Sequence, residues 1–229
     1  MKMDLLYKGK TKDVYQDKDG EVVLFFKDDM TGKDGVFDPG ENQVGLTVEG
    51  SGKAGLKMTS YFFEKINAAG IPTHYIDSDL DERQMRVKKV SVFGNGLEVI
   101  CRYRAVGSFI RRYGDYIEDG APLNGYVEMT LKDDERQDPL INKAALEALN
   151  ILKPGEYDEI ADLTVKISDI IKDELAQKGL ELYDIKLEFG RDEATGEVLL
   201  IDEISGGNMR VFDKDGKYIE PLEFGNYLF

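Results

Sequence analysis

Residues 183–210, YDIKLEFGRDEATGEVLLIDEISGGNMR, set charged side chains at alternate positions inside strand-like apolar runs. An apolar run over residues 180–189, a turn cluster at 192–196 and a second apolar run over 198–204 predict a β-hairpin. Side chains alternate across a strand, so Asp184, Lys186 and Glu188 share one face, while Asp202 falls on the face of Leu200 and Ile204. A register symmetric about the turn places Lys186 opposite Asp202, with Glu188 as the diagonal neighbour. A slip of one residue separates them. Two close carboxylates repel unless a cation or a shared proton joins them, and their hard oxygens suit Mg²⁺. An edge hairpin with a solvated charged face accounts for the same pattern.

The rest of the chain decides which ligands such a site could meet. A formal charge of −15 argues against nucleic acid or an anionic membrane surface as partner, because a phosphate backbone needs a basic footprint. An anionic ligand therefore requires a local basic pocket. Arg102, Arg104, Arg111 and Arg112 crowd into one short segment. With one cysteine (Cys101) and one histidine (His74), a disulfide, a cysteine-rich zinc site and a histidine metal cluster are not expected. His74 reads as a packing residue. The N-terminus lacks the apolar core of a signal peptide and no run reaches membrane-spanning length, so the expected location is the cytoplasm.

In chain order, strands with a glycine turn are expected at the start, where Gly9, Lys10 and Lys12 could fold over phosphates or form only an exposed basic turn. The G-x-x-x-x-G-K-[ST] spacing of a Walker A loop is absent. Residues 28–52, rich in Gly and Asp, predict a mobile loop, and 53–69 a helix with an aromatic core stripe. Strands follow over 73–76, 84–90 and 97–104. Lys88 sits in the second of these, where lysines usually snorkel outward. Arg102 ends the third strand and Gly107-Ser108 opens a helical segment, which reads either as a phosphate-binding helix start or as an ordinary serine cap. Asn142 and residue 156 mark the starts of two further helices, the second ending at Gly179. The expected division is a β-rich lobe over 1–94 carrying one helix and a larger lobe over 95–229.

Eight segments in the same order identify a resemblance: YKGKTKDVY, FFKDDMTGKDG, AGIPTH, VKK, EVICRYRAVGS, LKDDERQDPLIN, DIKLEFG and DEIS with an arginine following. The chain resembles the SAICAR synthetase family, phosphoribosylaminoimidazole-succinocarboxamide synthases of purine biosynthesis. The resemblance implies an α+β or α/β fold of two lobes with ATP between them, distantly kinase-like, with mostly antiparallel sheets and packing helices. It implies condensation of carboxyaminoimidazole ribonucleotide with L-aspartate, coupled to cleavage of ATP to ADP and phosphate, through attack of the imidazole carboxylate on the γ-phosphate. A homodimer is the expected assembly. By position, Lys10, Lys12 and Lys88 match ATP-contacting lysines, and Glu188 and Asp202 match carboxylates that hold Mg²⁺ on ATP. Lys186 would contact the reacting phosphate or carboxylate. Arg102, Ser108 and Arg210 match residues that grip the ribonucleotide, Asp184 would touch the imidazole, and Asp34 would bear on aspartate or a second metal.

The chain departs from the family pattern at several points. Ser205-Gly206-Gly207-Asn208-Met209 replaces a usual Ser-Pro-Asp run, predicting a more pliant loop before Arg210. Tyr103 follows Arg102 where asparagine is usual, Val106 replaces alanine, Gly55-Leu56 stands for an asparagine pair, and the chain ends at Phe229 before the family's usual C-terminal helix. These departures fall on the acceptor side and leave three competing readings: a paralogous amide ligase with another carboxylate or amine, a small-molecule kinase on the same cleft, and a nucleotide-binding protein without turnover. A missing HRD-type loop disfavours the kinase, and the presence of Lys186, Glu188 and Asp202 disfavours binding alone.

Overall fold

The structure, a computed structural model, describes residues 3–33, 36–37 and 44–229. Strands β1 (Asp4–Lys8), β2 (Lys12–Gln16) and β3 (Val22–Phe26) form an antiparallel meander. Its first turn depends on Gly9, because a Cβ there would lie 2.3 Å from the Lys12 carbonyl oxygen. The segment expected to be a mobile loop instead holds β4 (Asp29–Lys33), β5 (Val36–Phe37) and β6 (Val44–Thr47), paired as a small antiparallel sheet. Its weak apolar alternation hid these strands.

Helix α1 (Ser51–Ala68) buries Leu56, Thr59, Phe62, Phe63 and Ile66 at helical spacing. Strands β7 (Tyr75–Asp79) and β8 (Gln84–Val87) complete a five-stranded sheet in the order β1-β2-β3-β8-β7. A second sheet takes β9 (Val90–Val92), β10 (Leu97–Arg104), β11 (Pro122–Leu131), β12 (Leu180–Asp192), β13 (Val198–Ile201) and β14 (Met209–Asp213). Helix α2 (Ser108–Tyr113) follows β10, and α3 (Lys143–Ala148) starts at Asn142, whose side chain accepts from the Ala145 backbone N–H. The long helix α4 (Glu156–Gln177) turns Ile160, Thr164, Ile167, Ile171 and Leu175 onto the second sheet, with Glu156, Asp158 and Glu159 at the positive end of its dipole. A one-turn helix α5 (Gly225–Leu228) docks Phe224 and Leu228 into the body. Among the described residues no helix is long and apolar enough to cross a membrane.

Strand β12 is the axis of the second sheet. Residues 184–188 pair with β10 and 190–192 with β9 along one edge, while 180–185 pair with β14 and 188–191 with β13 along the other. Lys186 and Leu187 thus face a gap between β13 and β14, and residues 202–208 loop out there. The hairpin is the expected one, but its register is not. Glu188 pairs with Ile201 and Phe189 with Leu200, one residue away from the pairing that would set Lys186 opposite Asp202.

Candidate active site

A one-residue slip should turn Asp202 away from Glu188. Asp202 leaves β13 in the left-handed region, φ 67°, which aspartate tolerates better than most residues, and its charge still reaches Glu188. Its carboxylate then meets Lys12 of the glycine turn at 3.3 Å, and Glu203 meets the same ammonium at 2.6 Å. On the neighbouring strand Glu98 stands opposite Glu188. Lys186 donates to Glu98 at 2.7 Å, and Lys132 donates to Glu188 at 2.7 Å.

These groups line a cleft of about 830 Å³ between the two sheets. Its walls include the Gly9–Lys12 turn, the first turns of α1, the 205–208 loop and the apolar side chains of Val14, Leu24 and Phe26. The size and the mixture of apolar wall with a few convergent charges are those of a small-molecule site. Lys10 bridges the cleft to Asp134 at 2.6 Å.

Electrostatics separate the two central carboxylates. Burial raises the Glu188 pKa, and the Asp202 charge adds to that rise against Lys132. Burial also works to raise Asp202, but Lys12 and Lys132 outweigh it and hold the group below its ordinary value. Lys12 is pushed above its usual range: burial opposes this, and Asp202 and Glu203 overcome it. Lys132 rises likewise against burial, through Glu188 and Asp202. A lysine-balanced carboxylate pair of this kind fits Mg²⁺ held jointly with phosphate oxygens, since Mg²⁺ commonly takes one or two protein carboxylates beside a substrate's phosphates. Among the described residues no group of three or more His, Cys, Asp or Glu could hold a metal by itself.

A second cluster continues along the same face of β12. Asp184 is two residues from Lys186 and pairs across the ladder with Arg102. Arg102 donates to Asp184 at 2.6 Å, to Glu128 at 2.8 Å and to the Ser108 hydroxyl at 2.9 Å, and Arg210 donates to Asp184 at 2.8 Å. Arg112 also reaches Glu128, at 2.5 Å. Burial raises Asp184 although Arg210 and Arg102 oppose it. Ser108 does not cap α2: Gly107 is the N-cap, in a positive-φ conformation at 57°, and a Cβ there would lie 2.7 Å from Arg210 Nη1. The serine hydroxyl instead serves Arg102.

Most of the expected residues therefore assemble into one of two adjoining groups. Lys10, Lys12, Lys186, Glu188 and Asp202 line the cleft, and Arg102, Ser108, Asp184 and Arg210 form the neighbouring cluster. Lys88 stands apart from both groups. Met85 and Val87 take the inward face of β8, so Lys88 is exposed, outside the cleft, with its backbone N–H on the His74 carbonyl at 2.7 Å. Asp34 lies outside the described residues. His74 packs as expected, buried with its ring 5.5 Å from that of Phe63.

Sequence reasoning missed Glu98, Glu128, Lys132 and Glu203. The first two had a readable signal, a glutamate inside an apolar strand, and both are buried to 4% exposure. Lys132 and Glu203 had none beyond their neighbours. Two expectations about the departures also change. Tyr103 projects to the α4 side, donating to Asp169 at 2.8 Å under Lys172, so it does not touch the acceptor side. The 205–208 loop is braced rather than pliant: Asn208 Nδ2 donates to the carbonyls of Lys186 (3.0 Å) and Glu203 (2.7 Å), filling the gap beside β12. Its Oδ1 accepts from the Ser205 N–H at 2.8 Å, and a Cβ on Gly206 would lie 2.6 Å from Pro221 Cα.

The chain is similar to known proteins over nearly its whole length. A family model described as SAICAR synthetase matches residues 5–222. A phosphoribosylaminoimidazole-succinocarboxamide synthase of Clostridium tetani is 63% identical over 96% of this chain and 97% of its own length. One from Finegoldia magna is 39% identical over 93% of this chain and 87% of its own. Among solved structures, the Ehrlichia chaffeensis phosphoribosylaminoimidazole-succinocarboxamide synthase superposes with a TM-score of 0.84 at 27% identity, covering 98% of this chain and 92% of that one. A SAICAR synthetase solved in complex with ADP gives 0.82 at 31% identity, covering 98% and 90%.

Proposed function

The chain belongs to the SAICAR synthetase family, and from that premise we propose how its two clusters divide the work of an ATP-dependent ligase that forms SAICAR. The cleft takes ATP. The adjoining arginine cluster takes carboxyaminoimidazole ribonucleotide, and the amine that completes the amide comes from L-aspartate.

One observation carries the division. Asp184, Lys186 and Glu188 lie on one face of β12, and four residues at a rise of about 3.3 Å set the first and last about 13 Å apart. Lys186 stands midway. A ribonucleotide gripped at its phosphate by Arg102, Ser108 and Arg210 would reach Lys186 with its imidazole end, with Asp184 beside the ring. The Gly9 turn, Lys10 and Lys12 would meet the phosphates of ATP from the other side of the cleft.

The reaction then asks these residues for charge neutralisation and alignment more than for proton transfer. A carboxylate oxygen of the imidazole attacks the γ-phosphorus, the bond to ADP breaks, and an acyl phosphate results. The aspartate amine attacks that carbonyl carbon, phosphate leaves, and the amine proton is lost. Lys186 holds the attacking carboxylate and the transferring phosphoryl group together. Lys12 and Lys132, now balanced by carboxylates, supply positive charge where phosphate oxygens arrive. Glu188 and Asp202 are the proposed Mg²⁺ ligands, and the ion when bound would neutralise the ATP phosphates.

We place the two lobes at residues 1–94 and 95–229, with β9 at the end of the first crossing to pair with β12 of the second, and the working enzyme in the cytoplasm as a homodimer, whose assembly state light scattering on the purified protein checks. The functional test is an assay with ATP, Mg²⁺ and carboxyaminoimidazole ribonucleotide, with and without aspartate, following ADP and amide absorbance. Aspartate-dependent amide formation is expected. ADP release that ignores aspartate contradicts the proposal.

A further inference from the structure

We propose that Lys57, on the cleft face of α1, binds a carboxylate of the amino-acid substrate. This rests on the ligase reading above and adds to it the site of the third substrate, which neither cluster provides.

A substrate carboxylate is met at least cost by a cation that no protein carboxylate already holds. Five lysines of the cleft are neutralised. Lys10 pairs with Asp134, Lys12 with Glu203, Lys27 with Asp29, Lys132 with Glu188 and Lys186 with Glu98. Lys57 is the remaining lysine of the cleft lining, and among the described residues it has no ion-pair partner.

Its ammonium is nonetheless held in place, 3.9 Å from the centroid of the Phe229 ring. A cation–π contact orders a lysine without cancelling its charge, leaving its donors free for an incoming anion. Phe229 is fixed in turn by an edge contact with Tyr61, one helical turn beyond Lys57, at 5.4 Å. An ordinary surface lysine has no such ring beneath it inside a cleft.

The position suits the amine donor better than ATP. Lys57 lines the cleft together with Phe229, Pro221 and Leu222. Pro221 abuts Gly206 of the loop that Asn208 ties to the Lys186 backbone. This end of the cleft is thereby continuous with Lys186, where the acyl group would form, whereas the nucleotide's phosphates would meet the Gly9 turn.

The test is steady-state kinetics on the full chain, varying aspartate, ATP and ribonucleotide in turn, for wild type, Lys57→Met and Lys57→Arg. Loss of one charge-assisted contact predicts that Lys57→Met raises KM for aspartate about ten- to a hundred-fold, with kcat at saturating aspartate and the other two KM values within about two-fold. Lys57→Arg restores most of the affinity. Thermal melts of both variants matching wild type show that the exposed position is not a folding determinant. An unchanged KM for aspartate, or an equal rise in KM for ATP, overturns the proposal while leaving the ligase reading intact. A wild type that makes product without aspartate overturns both.

Discussion

Replacing Lys12 by methionine keeps the apolar stem of the side chain and removes the ammonium between Asp202 and Glu203. The Lys12 side chain is 10% exposed, Glu203 15% and Asp202 32%. Breaking a buried ion pair from one side costs about 3–5 kcal/mol, and the partial exposure of Asp202 places this case near the lower figure, about 3 kcal/mol. The cost must depend on pH. In the wild type Asp202 is held below its ordinary pKa, so its contribution to stability is present above the unfolded value and is lost as pH falls through the folded one. Without Lys12, burial and the charge of Glu188 act with less opposition and raise Asp202, so the variant is penalised wherever that carboxylate must ionise. Urea unfolding at about pH 8 and about pH 5 measures the difference between the two proteins directly. The gap should be near 3 kcal/mol at the higher pH and clearly smaller at the lower one. A gap below about 1 kcal/mol, or one that does not change with pH, would refute the picture of Lys12 as the counter-charge of the carboxylate pair.

Four other outcomes follow from the same geometry. Asp202→Asn keeps a residue suited to φ 67° and should fold normally while losing turnover, as read by circular dichroism and ADP release; near-normal turnover refutes the metal assignment. Arg210→Ala should raise KM for the ribonucleotide about ten- to a hundred-fold with little change for ATP, and equal losses for both would erase the division between the clusters. Gly107→Ala adds a methyl group 2.7 Å from Arg210 Nη1 at a backbone conformation (φ 57°, ψ −128°) that favours glycine, so it should reproduce part of the Arg210 defect and cost about 1–3 kcal/mol of stability in urea titrations. Burial pushes the His74 pKa down to about 4, so the folded state refuses a proton that the unfolded chain accepts near its ordinary 6.5. Stability should fall between these values by about 3 kcal/mol on acidification, and the total wild-type fall over this interval should exceed that of His74→Gln by this amount.

The sequence disclosed most where a physical period was strong. The eight residues of β10 and the buried stripe of α4 follow from alternation and from 3.6-residue spacing, and Asn142 declared its helix by capping chemistry. The hairpin over 180–204 was legible too, yet its register was not, and Asp202 keeps its charge within reach of Glu188 from a left-handed conformation that the alternation pattern does not announce. Residues 28–52 showed no alternation and hid a small sheet. Glu98 and Lys132 act through partners on other strands, and no local pattern names a partner some ninety or fifty-six residues away. The loop before Arg210 misled in the other direction. Two glycines suggested slack, but one packs on Pro221 and Asn208 ties the segment to β12.

The central claim is that the β12 face brings an imidazole carboxylate to the γ-phosphate of ATP beside Lys186. A single turnover with ribonucleotide labelled with heavy oxygen in that carboxylate tests it most directly. If the carboxylate attacks phosphorus, one labelled oxygen must leave with the inorganic phosphate when aspartate displaces it, and mass spectrometry of the phosphate should show it. Unlabelled phosphate alongside normal amide formation would contradict the account.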